Sequence, residues 1–98
     1  MVKLTVLYGH PESVEAFESY YASTHMPLAN SIPDLVRIEV GRVIAEGGEA
    51  PCYRIAELWF PDLDTLHAAM DSERGKAAAA DIPKFATGGA TIFVSDVD

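Results

Sequence analysis

A chain of 98 residues has room for one hydrophobic core, and its 49% apolar composition is rich for that length. Surplus apolar surface in so short a chain goes into an oligomer interface. The formal net charge of −8, with no cluster of Lys or Arg, excludes a phosphate-backbone partner and an anionic membrane surface.

Val2–Tyr8 alternates at first and becomes apolar on both parities, the pattern of a central strand. Gly9-His10-Pro11 breaks it, and Pro11 or Ser13 opens a helix with Glu12 and Glu15 in its first turn. Val14, Phe17 and Tyr21 form that helix's inward stripe. Pro27 disfavours helical backbone at Met26, so His25 is expected at a frayed, exposed helix end. Leu35–Ala45 reads as a strand with one polar face, with Gly41 marking a bulge or a close backbone approach. A turn at residues 46–51 leads into a third strand, Tyr53–Phe60. Pro61-Asp62 starts a second helix with Leu63, Leu66 and Met70 inward. Ser72 caps its alanine-rich continuation over Glu73–Ala80, which Pro83 ends. Gly88-Gly89 turns into a last strand, Thr91–Ser95.

The order β-α-β-β-α-β is that of a ferredoxin-like α+β domain over residues 1–98, with two helices on one face of a four-stranded antiparallel sheet. Cys52 stands alone, which excludes an intramolecular disulfide. With no secretory leader pattern and no apolar run of membrane-spanning length, the expected setting is the cytoplasm.

Chemistry concentrates at one stretch. Phe17, Tyr21 and His25 recur every four residues and share a helix face, which sets a phenol one turn from a titratable ring. An imidazole with an unperturbed pKa of about 6.5 can give or take a proton at cellular pH. His25 is therefore the candidate catalytic group, with Tyr21 to orient it or to donate to a substrate oxygen. Tyr8, Tyr53 and Trp59 are candidate walls for an apolar or aromatic ligand between helix and sheet. His10, His25 and His67 show no metal-ligand spacing, so no metal site is expected. There is no Gly-x-Ser-x-Gly elbow, no dinucleotide-binding glycine fingerprint and no basic platform for nucleic acid.

Several segments, in order, carry a resemblance. They are the strand Leu4–Tyr8, Pro11-Glu12-Ser13, Phe17-Glu18-Ser19-Tyr20-Tyr21 and His25-Met26-Pro27-Leu28-Ala29. Gly41, Tyr53–Phe60 and Asp81-Ile82-Pro83-Lys84-Phe85 before Gly88-Gly89 complete the set. Together they resemble the EthD family, named from ethyl tert-butyl ether degradation, within the dimeric α+β barrel superfamily. The resemblance implies a homodimer with the uncovered sheet faces packed together, and a small-molecule protein working without a cofactor. It also implies a role for Asp81, which matches an acidic position of the family and could pair with His25 or Arg54. Three functions stay open: a cofactor-free enzyme using His25 as acid or base, a non-catalytic accessory protein of a degradation pathway, and a haem-handling barrel with His25 or His67 as axial ligand.

Overall fold

The computed structural model describes residues 1–98. Four strands, β1 (Val2–Tyr8), β2 (Arg37–Arg42), β3 (Arg54–Phe60) and β4 (Ala90–Asp96), form one antiparallel sheet in the order β2-β3-β1-β4. Register follows from alternation: Val2, Leu4, Val6 and Tyr8 sit opposite Phe60, Leu58, Ala56 and Arg54. That parity faces the helices and supplies half of the buried core. Lys3, Thr5 and Leu7, opposite Trp59, Glu57 and Ile55, look out the other way. This is the ferredoxin-like architecture.

Between β1 and β2 runs one helical stretch in three parts: α1 (Val14–Tyr20), a π-turn (Tyr21–His25) and α2 (Met26–Asn30). Ser13 caps it by accepting from the Ala16 N–H. The expectation of a frayed end at His25 is overturned. Met26 keeps helical φ −60° and ψ −39°, and its N–H reaches five residues back to the Tyr21 carbonyl. An i→i+5 turn is wider than an α turn. It moves the preceding carbonyls away from the Pro27 ring, so the helix passes the proline that would otherwise end it. His25 is consequently buried, at 5% exposure.

Between β3 and β4 lie α3 (Leu63–Asp71), capped by Asp62, and α4 (Glu73–Phe85), capped by Ser72. A Cβ on Gly75 would collide with the Ala69 carbonyl and the Met70 backbone, so glycine permits the tight corner between the two helices. Pro83 does not end α4, which runs two residues further because Asp81 and Phe85 are both buried and fix its last turn. Val14 and Leu63 are also corrected. Each is the first residue after its cap, at a solvent-facing helix start, and each is exposed. Gly41 pairs regularly with Ile55 and has open space around its Cα, so neither a bulge nor a close approach explains it. No helix is long and apolar enough to cross a membrane.

Candidate functional site

Aromatic packing positions the site. Phe17 stacks on Tyr21 at 5.4 Å between ring centroids, and Tyr21 stacks on His25 at 5.5 Å. The helical stripe thus ends with its imidazole against Phe85 of α4, 4.6 Å away. Tyr8, at the end of β1, meets Phe17, Tyr21 and Phe85. Edge-to-face and offset contacts of this kind favour particular ring orientations beyond plain burial.

Beside this cluster, between helices and sheet, is a cavity of about 250 Å³. Of its 17 lining residues 16 are hydrophobic, and the remaining one is His25. Its floor comes from Leu4, Val6, Ala56 and Leu58, and its roof includes Met26, Ala78 and Ile82. Tyr8 and Tyr21 border it, so three adjacent rings define one polar end. Ala29, Ala56, Ala78 and Ala79 leave the room that larger side chains would fill. The cavity is smaller than the roughly 300–1,000 Å³ of drug-sized sites, which fits a compact ligand.

His25 is held from behind. Its Nδ1 lies 3.0 Å from Oδ2 of Asp81 on α4, and both side chains are almost fully buried. Tyr20 donates its hydroxyl to the other oxygen, Oδ1, at 2.6 Å. Burial alone would raise the Asp81 carboxyl, but the hydrogen bonds from Tyr20 and His25 outweigh it and hold the group below its ordinary range. An ionised carboxylate only accepts, so Nδ1 carries the proton and donates. Nε2 is left with a lone pair and no partner among the chain's hydrogen bonds. That arrangement can accept a proton from a molecule in the cavity.

A second polar network lies on the other side of Tyr21. Arg54 grips Glu18 through Nη2 at 2.6 Å and Nε at 3.2 Å, and the Tyr53 hydroxyl donates to the same carboxylate at 2.7 Å. The Arg54 guanidinium sits 4.7 Å from the centroid of the Tyr21 ring. Burial pushes the Tyr21 phenol up to about 12, against the pull of the Arg54 charge. Burial drives Tyr8 further in the same direction. Both phenols therefore remain O–H donors at neutral pH.

The structure brings together His25, Tyr21, Asp81 and Tyr8, and leaves two sequence candidates outside. Tyr53 bonds to Glu18 and does not line the cavity. Trp59 lies on the opposite face of the sheet, flanked by Lys3 at 5.4 Å and Arg37 at 4.2 Å. Strand alternation decides this, since Leu58 and Phe60 on either side of it take the helix-facing parity. Of the two partners considered for Asp81, His25 is the one it meets, while Arg54 is taken by Glu18. Sequence reasoning did not single out Tyr20 or the cavity-forming alanines. The signal for Tyr20 was its spacing of five from His25, which an α-helical reading sets on another face.

Haem does not fit these residues. No Lys or Arg lines the cavity to meet a pair of propionates, and His67 is exposed on α3.

The EthD domain pattern matches residues 9–89. An uncharacterized 11.0 kDa protein from the thcB-thcC intergenic region of Rhodococcus erythropolis is 36% identical over 97 residues, covering 98% of this chain and 94% of its own. The crystal structure of an ethyl tert-butyl ether degradation (EthD) family protein from Bacillus halodurans is likewise 36% identical. It superposes with a TM-score of 0.94 over 100% of this chain and 99% of its own. At 17% identity, SnoaB from Streptomyces nogalater, a cofactor-independent oxygenase, shares the fold with a TM-score of 0.66 over 98% of this chain and 90% of its own. The sequence match across most of its length and the common architecture establish that this chain belongs to the EthD family.

Proposed function

We propose that this protein takes a small apolar compound bearing one oxygen function into the cavity between helices and sheet, and moves a proton on it with His25. The observation that carries the reading is the lone imidazole in an otherwise hydrophobic lining, its Nδ1 tied to Asp81. A base already fixed in position needs little reorganisation when it accepts a proton, and no other polar side chain of the lining competes for its lone pair except the two bordering phenols. Tyr21, still protonated at neutral pH, is placed to donate to the oxygen of the same ligand. Such chemistry covers enolisation, isomerisation and dehydration, and it runs on the chain's own side chains. The cofactor-independent oxygenase of the same fold supports the cofactor-free part of the reading.

The working unit in this reading is one domain over residues 1–98 paired with a second copy in the cytoplasm. Phe93 is 44% exposed on the outer sheet face, and Thr5 Oγ1 is buried there without a hydrogen-bond partner. Such a face is commonly covered by a partner, and a reduced Cys52 suits the compartment.

A suitable test uses 2-tetralone, an apolar bicyclic ketone with acidic protons beside its carbonyl. Deuterium incorporation at those positions is followed by NMR in D2O. Wild-type protein should accelerate exchange, and His25→Gln, which can still donate to Asp81, should not. Binding of 2-tetralone without accelerated exchange would overturn the proton-transfer reading in favour of a non-catalytic binding protein.

A further inference from the structure

We infer that Tyr20 is a positioning residue, and that the π-turn exists to bring Tyr20 and His25 onto the two oxygens of one carboxylate, locking the imidazole as its Nδ1–H tautomer. This rests on the proton-transfer reading of His25 only for its consequence, and on geometry for its substance. Tyr20 and His25 are five residues apart. In an α-helix at 3.6 residues per turn, five residues leave two side chains about 140° apart, too far round to converge on one group. In a π-turn the hydrogen bond joins residues i and i+5, so the fifth residue comes back near the first. Here the Tyr20 hydroxyl reaches Oδ1 of Asp81 at 2.6 Å and His25 Nδ1 reaches Oδ2 at 3.0 Å. The helix pinches a single acidic residue on α4 from both sides.

The two bonds act together. A carboxylate with one oxygen occupied by a phenol has its plane fixed, and its second oxygen then faces one ring nitrogen only. Being ionised, that oxygen requires an N–H opposite it, so Nδ1 holds the proton and Nε2 is presented to the cavity as an acceptor. The Tyr20 phenol is itself shifted upward by its bond to Asp81, which keeps it a donor across the neutral range. Its ring stacks on Phe85 at 5.5 Å, so packing of the ring and hydrogen bonding of the hydroxyl can be separated by substitution. Tyr20 does not line the cavity, and it would act on a ligand only through Asp81 and His25.

The experiment is 15N NMR of the His25 ring in wild type and in Tyr20→Phe, which removes only the hydroxyl that reaches Asp81. Wild type should show the Nδ1–H tautomer alone. Tyr20→Phe, which keeps the stacking on Phe85, should fold and yet populate the Nε2–H form. Its kcat for 2-tetralone exchange should fall roughly ten-fold at unchanged KM. Unchanged tautomer populations in Tyr20→Phe would overturn the inference, whatever the exchange rates. Absence of exchange in wild type, with the tautomer shift present, would instead count against the proton-transfer reading and leave this inference standing.

Discussion

The two faces of the sheet are built on different principles. Toward the helices the central strands are apolar except at Arg54, which Glu18 holds, and the cavity there meets a single imidazole. Away from them the face is a lattice of charge pairs: Lys3 with Glu57 at 2.6 Å, Arg37 with Glu39 at 2.8 Å, and both cations over Trp59. Phe93 and the orphaned hydroxyl of Thr5 complete it. The contrast separates two tasks. The helix-facing side isolates one polar group from water, which strengthens whatever that group does. The outer side keeps its charges paired and mostly accessible, which suits a surface that meets another protein surface rather than a small ligand.

The largest effect expected from this contrast lies on the outer face. Ile55→Glu places an unpaired charge between β1 and β2 on that side. If the face is covered by a second copy, the variant should be aggregated or unfolded, because small obligate dimers often lack a stable folded monomer. Size-exclusion with light scattering at low micromolar concentration checks it. A well-folded Ile55→Glu monomer would show that the outer face works uncovered.

On the inner side, His25→Ala should destabilise the protein by about 1–3 kcal/mol, because it strips a buried carboxylate of one of its two donors. Thermal or urea unfolding measures this, and a loss below about 0.5 kcal/mol would mean that the His25–Asp81 hydrogen bond is not held in solution. His25→Phe combined with Asp81→Leu removes both members, and it should cost less than the sum of the two single changes.

Acid gives a graded version of the same test. Asp81 and Glu18 both titrate below their ordinary values of 3.8 and 4.5. For Glu18 burial works the other way, and the hydrogen bonds from Tyr53 and Arg54 prevail. A carboxyl depressed in the folded state contributes stability above its unfolded value. That contribution shrinks as pH falls from the unfolded value through the folded one. Unfolding free energy should therefore decline with acid below about pH 4.5, and Asp81→Asn should flatten part of that decline. An identical acid profile in Asp81→Asn would contradict the depression of Asp81.

The smallest effect on stability is expected from filling the cavity. Ala56→Leu adds bulk to its floor, where there is space to take it, and should shift stability by less than about 1.5 kcal/mol. It should nevertheless abolish binding of 2-tetralone in an NMR titration. Undiminished binding would place the ligand elsewhere.

Much of the fold was legible because periodicity and caps agree at almost every element. Ser13, Asp62 and Ser72 each cap a helix, and β1 and β3 alternate against each other in register. The site was legible only as far as an α-helical spacing carries. Phe17, Tyr21 and His25 share a face in the structure, but Pro27 and Pro83 suggested helix ends where tertiary packing continues the helix. That is why His25 looked exposed, and why Tyr20, set five residues before it, was not tied to Asp81. Trp59 was misplaced for a different reason. An apolar run on a strand does not by itself declare which parity meets the helices, and Trp59 takes the side where two cations cover it. The alanines of α4 read as helix formers with little to bury, whereas their smallness makes the cavity.

The claim on which the rest depends is that His25 Nε2 is the hydrogen-bonding position inside an apolar cavity. The direct measurement is 15N NMR of the His25 ring during titration with 2-naphthol, and separately with naphthalene, which has the same rings and no hydroxyl. 2-Naphthol should move the Nε2 resonance while Nδ1 stays on Asp81. It should also bind about two- to twelve-fold tighter than naphthalene, the worth of one hydrogen bond of roughly 0.5–1.5 kcal/mol. Binding of 2-naphthol that leaves Nε2 unmoved and shows no preference over naphthalene would contradict it.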